Sequence, residues 1–157
     1  MNADRRDLLR SVLKDRLEEL SRARDVLELS YRRVGGLEMI DLLSKTDDGL
    51  IEIEAFTARF ARLIDILIQQ VLRAIDELEG QDPATPLDRI HRAEKRGWVA
   101  SADELVEARG LRNRIAHDYD AEGWRQIARL AHALVPQLLL SVERALNRGG
   151  PLLRPAS

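Results

Sequence analysis

Apolar residues recur at helical spacing through two long stretches of this 157-residue chain, and that pattern dictates a helical fold. Across residues 4–33, Leu9, Leu13, Leu17, Leu20, Ala23, Leu27 and Tyr31 fall three or four positions apart, the period of one helix face. Asp4 is the expected N-cap, and Val34-Gly35-Gly36 ends the run. Across residues 50–79, Phe56, Phe60, Leu63, Leu67, Val71, Ala74 and Leu78 form a second stripe, widened by Ile64, Ile68, Leu72 and Ile75. So broad an apolar face belongs to the central helix of a bundle, or to one that also serves a subunit contact.

The remainder reads as shorter elements. Residues 37–45 are a short helix or an irregular loop, and Thr46-Asp47-Asp48-Gly49 has turn chemistry. Thr85-Pro86 pairs an N-cap with proline at the first helical position, opening a short linker helix that ends near Arg96. Ser101 and Glu104 have the spacing of a capping box. The helix they start is predicted to carry Leu105, Ala108 and Leu111 and to run on into residues 112–120. A last helix over 121–147 buries Trp124, Ile127, Ala131, Leu134, Leu138, Val142 and Ala145. Pro136 lies inside it, where a missing amide and a clash with the carbonyl four residues back cost about 3 kcal/mol and predict a kink near His132. Residues 151–157 form a loose tail. There is no strand signal and no internal repeat, so the expected fold is an all-α bundle.

Composition removes several classes of function. Cysteine is absent, which excludes disulfides, thiolate metal sites and a thiol nucleophile. The charged N-terminus does not read as a secretory signal, and no apolar run approaches the ~20 residues of a membrane span. The expectation is a soluble, cytoplasmic protein. Net charge is −2, so bulk electrostatics do not announce a nucleic-acid binder. All 25 basic residues are arginine except Lys14, Lys45 and Lys95. Arginine grips phosphate with a planar fork, although a GC-rich genome would give the same bias.

Chemistry concentrates in the stretch RNRIAHDYD, residues 112–120. On a continuing helix Asn113 and His117 would share a face, and Arg112 and His117 would lie roughly 140° apart. Histidine, with a pKa of about 6.5, moves protons at neutral pH. Arginine binds phosphate and stabilises charge developing on it. Together they suit metal-independent RNA cleavage by the RNA's own 2′-hydroxyl. By spacing alone the stretch reads rather as a charged helix end, with Arg112, Arg114 and Asp118 as a solvated face. No second histidine or cysteine lies near enough to suggest a metal site. His91 and His132 read as surface or satisfied residues, and Trp98 and Trp124 as packing residues. Arg59 and Arg62 share a face at three apart, with Asp65 placed to pair with Arg62.

At these residues the chain resembles the HEPN family. Arg112-Asn113-Arg114-Ile115-Ala116-His117 matches that family's Arg, polar, then His pattern, and the extension to Tyr119 looks like its toxin branch, encoded beside a minimal nucleotidyltransferase (MNT) antitoxin. The motif's place between the last two helices, Pro136 in the final helix, and the segment around Phe56 to Asp65 add to the likeness. The chain departs from the compact toxins by its extra stretch at 37–49.

The resemblance implies a HEPN-like helical domain over 1–148 with a flexible tail at 149–157. The bundle would hold two long N-terminal helices, a short linker helix, the motif helix and a Pro-kinked C-terminal helix. It implies a homodimeric, metal-independent ribonuclease, with no cofactor and with tRNA among its candidate substrates. Arg112 would bind phosphate, His117 would be the acid/base, and Asn113 would support the pocket. Tyr119 would receive AMP from the nucleotidyltransferase partner, silencing the site. Arg114, Arg59 and Arg62 are further candidates for contact with RNA. Alternatively, the chain is a non-catalytic HEPN module that binds a nucleotidyltransferase or presents a substrate to it. A third reading is a plain helical dimer acting through the broad apolar face of residues 50–79.

Overall fold

A computed structural model describes residues 2–155, and among them every regular element is a helix. Helix α1 (Ala3–Val34) is capped by Asn2, whose side chain accepts from the Arg5 amide at 2.8 Å. Asp4, the expected cap, lies instead in the first turn, where its charge favours the positive end of the helix dipole. Leu13, Leu17, Leu20, Ala23 and Leu27 are buried as the stripe requires. The helix stops at Gly35, whose φ of 69° suits glycine.

Residues 37–45 resolve as a short helix, α2 (Leu37–Leu43). Helix α3 (Asp47–Asp65) then begins earlier than expected, because Thr46 is its cap. The Thr46 hydroxyl accepts from the Gly49 amide at 3.0 Å, so the stretch with turn chemistry is a helix start. Glycine is required there: a Cβ on Gly49 would sit 1.8 Å from the Leu43 carbonyl oxygen.

The second long rod is not one α-helix. It passes through a π turn at Ile66–Val71 before resuming as α4 (Leu72–Leu78). Ile66, Leu67 and Ile68 are all buried, three successive side chains that a regular α-helix would spread around most of its circumference. Phe56, Phe60, Leu63, Leu67 and Val71 are wholly inaccessible. The broad face is therefore buried within this chain, between α1 and the C-terminal helices, and is not available for subunit contact.

Thr85 and Pro86 start α5 (Pro86–Lys95) as predicted, with the Thr85 hydroxyl accepting from the Asp88 amide. Helix α6 (Ala102–Ile115) packs against α3 and α7. Helix α7 (Ala121–Leu152) continues through Pro136 and past the expected end at residue 147. Gly149 is tolerated because it lies against Leu17 of α1, where a Cβ would come within 2.9 Å. Close packing there outweighs its weak helix propensity. No described helix is long and apolar enough to cross a membrane.

Candidate functional site

Helix α6 presents the motif because Ala102, Leu105, Ala108 and Leu111 are buried, which fixes its rotation. Only half of the capping box forms. The Ser101 hydroxyl accepts from the Glu104 amide at 3.3 Å, while Glu94 of α5 takes the Ala102 amide at 2.6 Å. With the helix so held, Arg112 reaches α3 and closes a two-point fork on Asp65. Nε donates to Oδ1 at 2.6 Å and Nη2 donates to Oδ2 at 2.8 Å. This hydrogen bonding raises the Arg112 pKa above its already high ordinary value, against a smaller opposing effect of burial. Asp65 is the last residue of α3, immediately before the π turn.

The fork borders a cavity of about 360 Å³ between the π turn and α6. Arg109, Arg112 and Asn113 line one side, and Asp65, Gln69 and Gln70 the other. The Gln70 Oε1 atom is buried with no hydrogen-bond partner among the described residues. The cavity combines a guanidinium edge, amides and apolar floor residues Ile64 and Ile68, a set suited to a phosphate with its attached sugar.

His117 does not share a helix face with Asn113 as expected. Helix α6 ends at Ile115, with Ala116 as its cap. The cause is local. In a continuing helix the Arg114 carbonyl would accept from the Asp118 amide. Here it accepts from the His117 amide at 3.2 Å and from the Tyr119 hydroxyl at 2.8 Å. His117 is exposed in the turn beyond, is not among the cavity-lining residues, and makes no side-chain hydrogen bond to the described residues.

Tyr119 is half-buried rather than free. Its hydroxyl is occupied by the Arg114 carbonyl, and its ring meets Trp124 edge-on at 5.4 Å between centroids. Gly123 makes room for it, since a Cβ there would lie 2.9 Å from the Tyr119 Cβ. Asp120 caps the start of α7, its carboxylate accepting from the Gly123 amide at 2.8 Å.

The other candidates disperse. Arg114 is exposed at the end of α6 and does not line the cavity. Arg59 and Arg62 face α1 instead, in a separate groove. The expected Arg62–Asp65 pair does not form, because Asp65 belongs to Arg112. His132 is satisfied, with Nε2 at 3.1 Å from the Gly35 carbonyl and its ring beside Tyr31, and His91 is exposed. Trp98 is buried with its indole N–H donated to Glu79, and Trp124 packs against the core beneath Tyr119. Among the described residues, no group of three or more His, Asp or Glu side chains converges as a metal site.

Sequence reasoning missed Arg109, Gln69, Gln70 and Gly123, and gave Asp65 the wrong partner. One signal was available. Asp65 is the single charge within the apolar run of residues 63–68, and a carboxylate in such a run requires a cation or donors. Comparison with protein-family models, curated proteins and solved structures finds no match to this chain.

Proposed function

We propose that the chain is a HEPN-like, metal-independent ribonuclease that acts as a homodimer, with Arg112 and His117 of both protomers facing one cleft. The observation that carries this reading is the Asp65–Arg112 fork, which holds a guanidinium at the edge of a polar cavity three residues before the helix ends. Asp65 grips one edge of the guanidinium and leaves Nη1 without a partner among the described residues, for a phosphate oxygen. His117, exposed in the adjoining turn and without a side-chain hydrogen bond to the described residues, supplies an imidazole at the surface.

In the proposed reaction His117 takes the proton from a ribose 2′-hydroxyl. The 2′-oxygen attacks the adjacent phosphorus, and the bond to the 5′-oxygen of the next nucleotide breaks. That leaving oxygen is protonated by the second protomer's imidazolium, giving a 2′,3′-cyclic phosphate and a 5′-hydroxyl. Arg112 stabilises the charge on the phosphoryl oxygens. Regulation would come from an MNT-type partner that transfers AMP to Tyr119, whose added phosphate places negative charge beside the cleft.

A second reading is the binding module that engages a nucleotidyltransferase without turnover. It is favoured by one feature: within a single chain, two of the Arg112 nitrogens are already taken by Asp65, and His117 lies outside the cavity. End-group analysis of RNA treated with partner-free protein in EDTA separates the two. Cyclic phosphate ends, abolished by a 2′-deoxy substitution at the cut site, support the ribonuclease. Intact RNA moves the assignment to the binding module.

A further inference from the structure

A second groove lies between α1 and α3, about 370 Å³ in volume, lined by Glu19, Arg22, Ala23, Val26, Arg59 and Arg62. We propose that it binds the phosphodiester backbone of single-stranded RNA and continues the path of the strand away from the Arg112 cavity. The inference rests on the ribonuclease reading for the identity of the strand.

Three arginines enter this one groove, and none makes an ion pair with a described residue. Its single carboxylate, Glu19, is held at the rim by Arg16 at 3.4 Å. Arg59 is fixed in place: Nη1 donates at 2.7 Å to the hydroxyl of Ser30, one of few buried polar side chains in the core. Its remaining guanidinium nitrogens stay available. A buried hydroxyl holding an unpaired cation keeps its fork oriented before any anion arrives, which lowers the ordering cost of binding. Ala23 and the half-exposed Val26 give the groove an apolar wall for a sugar or base.

Position links the groove to the Arg112 cavity. On α3, Arg62 and Asp65 are roughly 60° and about 4.5 Å of rise apart. Ala58, Arg62 and Gln69 are exposed along that strip, with Arg59 half-buried on its α1 side and Asp65 on its α6 side. The two cavities therefore open on opposite flanks of one exposed ridge, and a strand crossing that ridge meets Arg112 on one side and Arg22, Arg59 and Arg62 on the other.

The test uses the full chain carrying His117→Ala, to keep RNA intact, and a fluorescein-labelled single-stranded oligoribonucleotide of about 12 nucleotides. Anisotropy is followed over a salt series in EDTA. Adding Arg22→Gln with Arg62→Gln should raise Kd by about tenfold or more and reduce the salt slope by ~1.4, the loss of two phosphate contacts. Arg22→Lys with Arg62→Lys should largely preserve both affinity and slope. An unchanged Kd and slope in the double Gln protein would overturn the groove. Wild-type cleavage of the same oligonucleotide scores the ribonuclease reading separately. Groove-dependent binding without cleavage removes that reading and leaves the groove standing, whereas no binding by the parent removes the groove and leaves the ribonuclease reading to the cleavage result.

Discussion

Arg112 and Asp65 lie 47 residues apart in sequence and meet in a two-point fork, 2.6 and 2.8 Å long, that ties the motif helix to the end of α3. Their side chains are 33% and 38% exposed, so water screens the pair and its share of stability is modest. Asp65→Asn should cost about 1 kcal/mol or less in urea unfolding. Its larger effect should fall on activity. Losing one edge of the fork frees the guanidinium to rotate, so kcat for RNA cleavage should drop about tenfold while KM changes little. A rise in KM with constant kcat would show that Asp65 does not position Arg112.

Tyr119 closes α6 with its side chain. Tyr119→Phe removes the hydroxyl that the Arg114 carbonyl accepts and should destabilise the turn by about 1 kcal/mol. Amide hydrogen exchange should quicken at Ala116, His117 and Asp118, with little change in α1. Uniform exchange across the chain would contradict this local role. The same substitution removes the proposed AMP acceptor, so a nucleotidyltransferase that adds AMP to the wild type in the presence of ATP should add no mass to the variant.

Among the glycines, Gly49 marks the tightest approach. Gly49→Ala places a Cβ 1.8 Å from a backbone oxygen that cannot move alone, so α2 and α3 must separate. Destabilisation of about 3 kcal/mol is expected, more than the gain from alanine's better helix propensity. An unchanged thermal midpoint would contradict the close approach.

Acid should loosen the first turns of α7 and their contact with α2. Hydrogen bonds from Arg125, then Gln126, pull the Glu122 carboxyl from an ordinary 4.5 down to about 2. Asp41 is lowered too, chiefly by its hydrogen bond from Arg125, with Arg129 adding to it and burial opposing. Carboxylates depressed in the folded state contribute stability that is complete above their unfolded pKa and lost as pH falls through the folded one. The midpoint should therefore fall between about pH 4.5 and about 2, and Arg125→Ala should flatten that fall. Parallel curves for the two proteins would count against the network.

The helical architecture was legible because its cause is periodic. The stripes of α1 and α7 repeat faithfully, and the Thr85-Pro86 start is a local signal that needs no tertiary context. The π turn was not legible, since Leu67 and Val71 keep the four-residue spacing that an unbroken helix also requires. The early start of α3 was hidden because Thr46 to Gly49 suits a turn as well as a cap. Arg112, Asn113, His117 and Tyr119 could be selected by type and spacing. Their geometry could not, because the Asp65 partner is remote in sequence and the end of α6 is set by a tyrosine hydroxyl rather than by a breaker residue.

The most direct measurement is cleavage of total tRNA in EDTA by partner-free protein, wild type beside His117→Ala, with intact mass establishing that Tyr119 is unmodified. His117 is exposed and unbonded among the described residues, so its removal should leave the helical spectrum and thermal midpoint unchanged. Cleavage by the wild type and none by the variant is the predicted result. Equal cleavage by both, or none by either with both proteins folded, would contradict a ribonuclease built on Arg112 and His117.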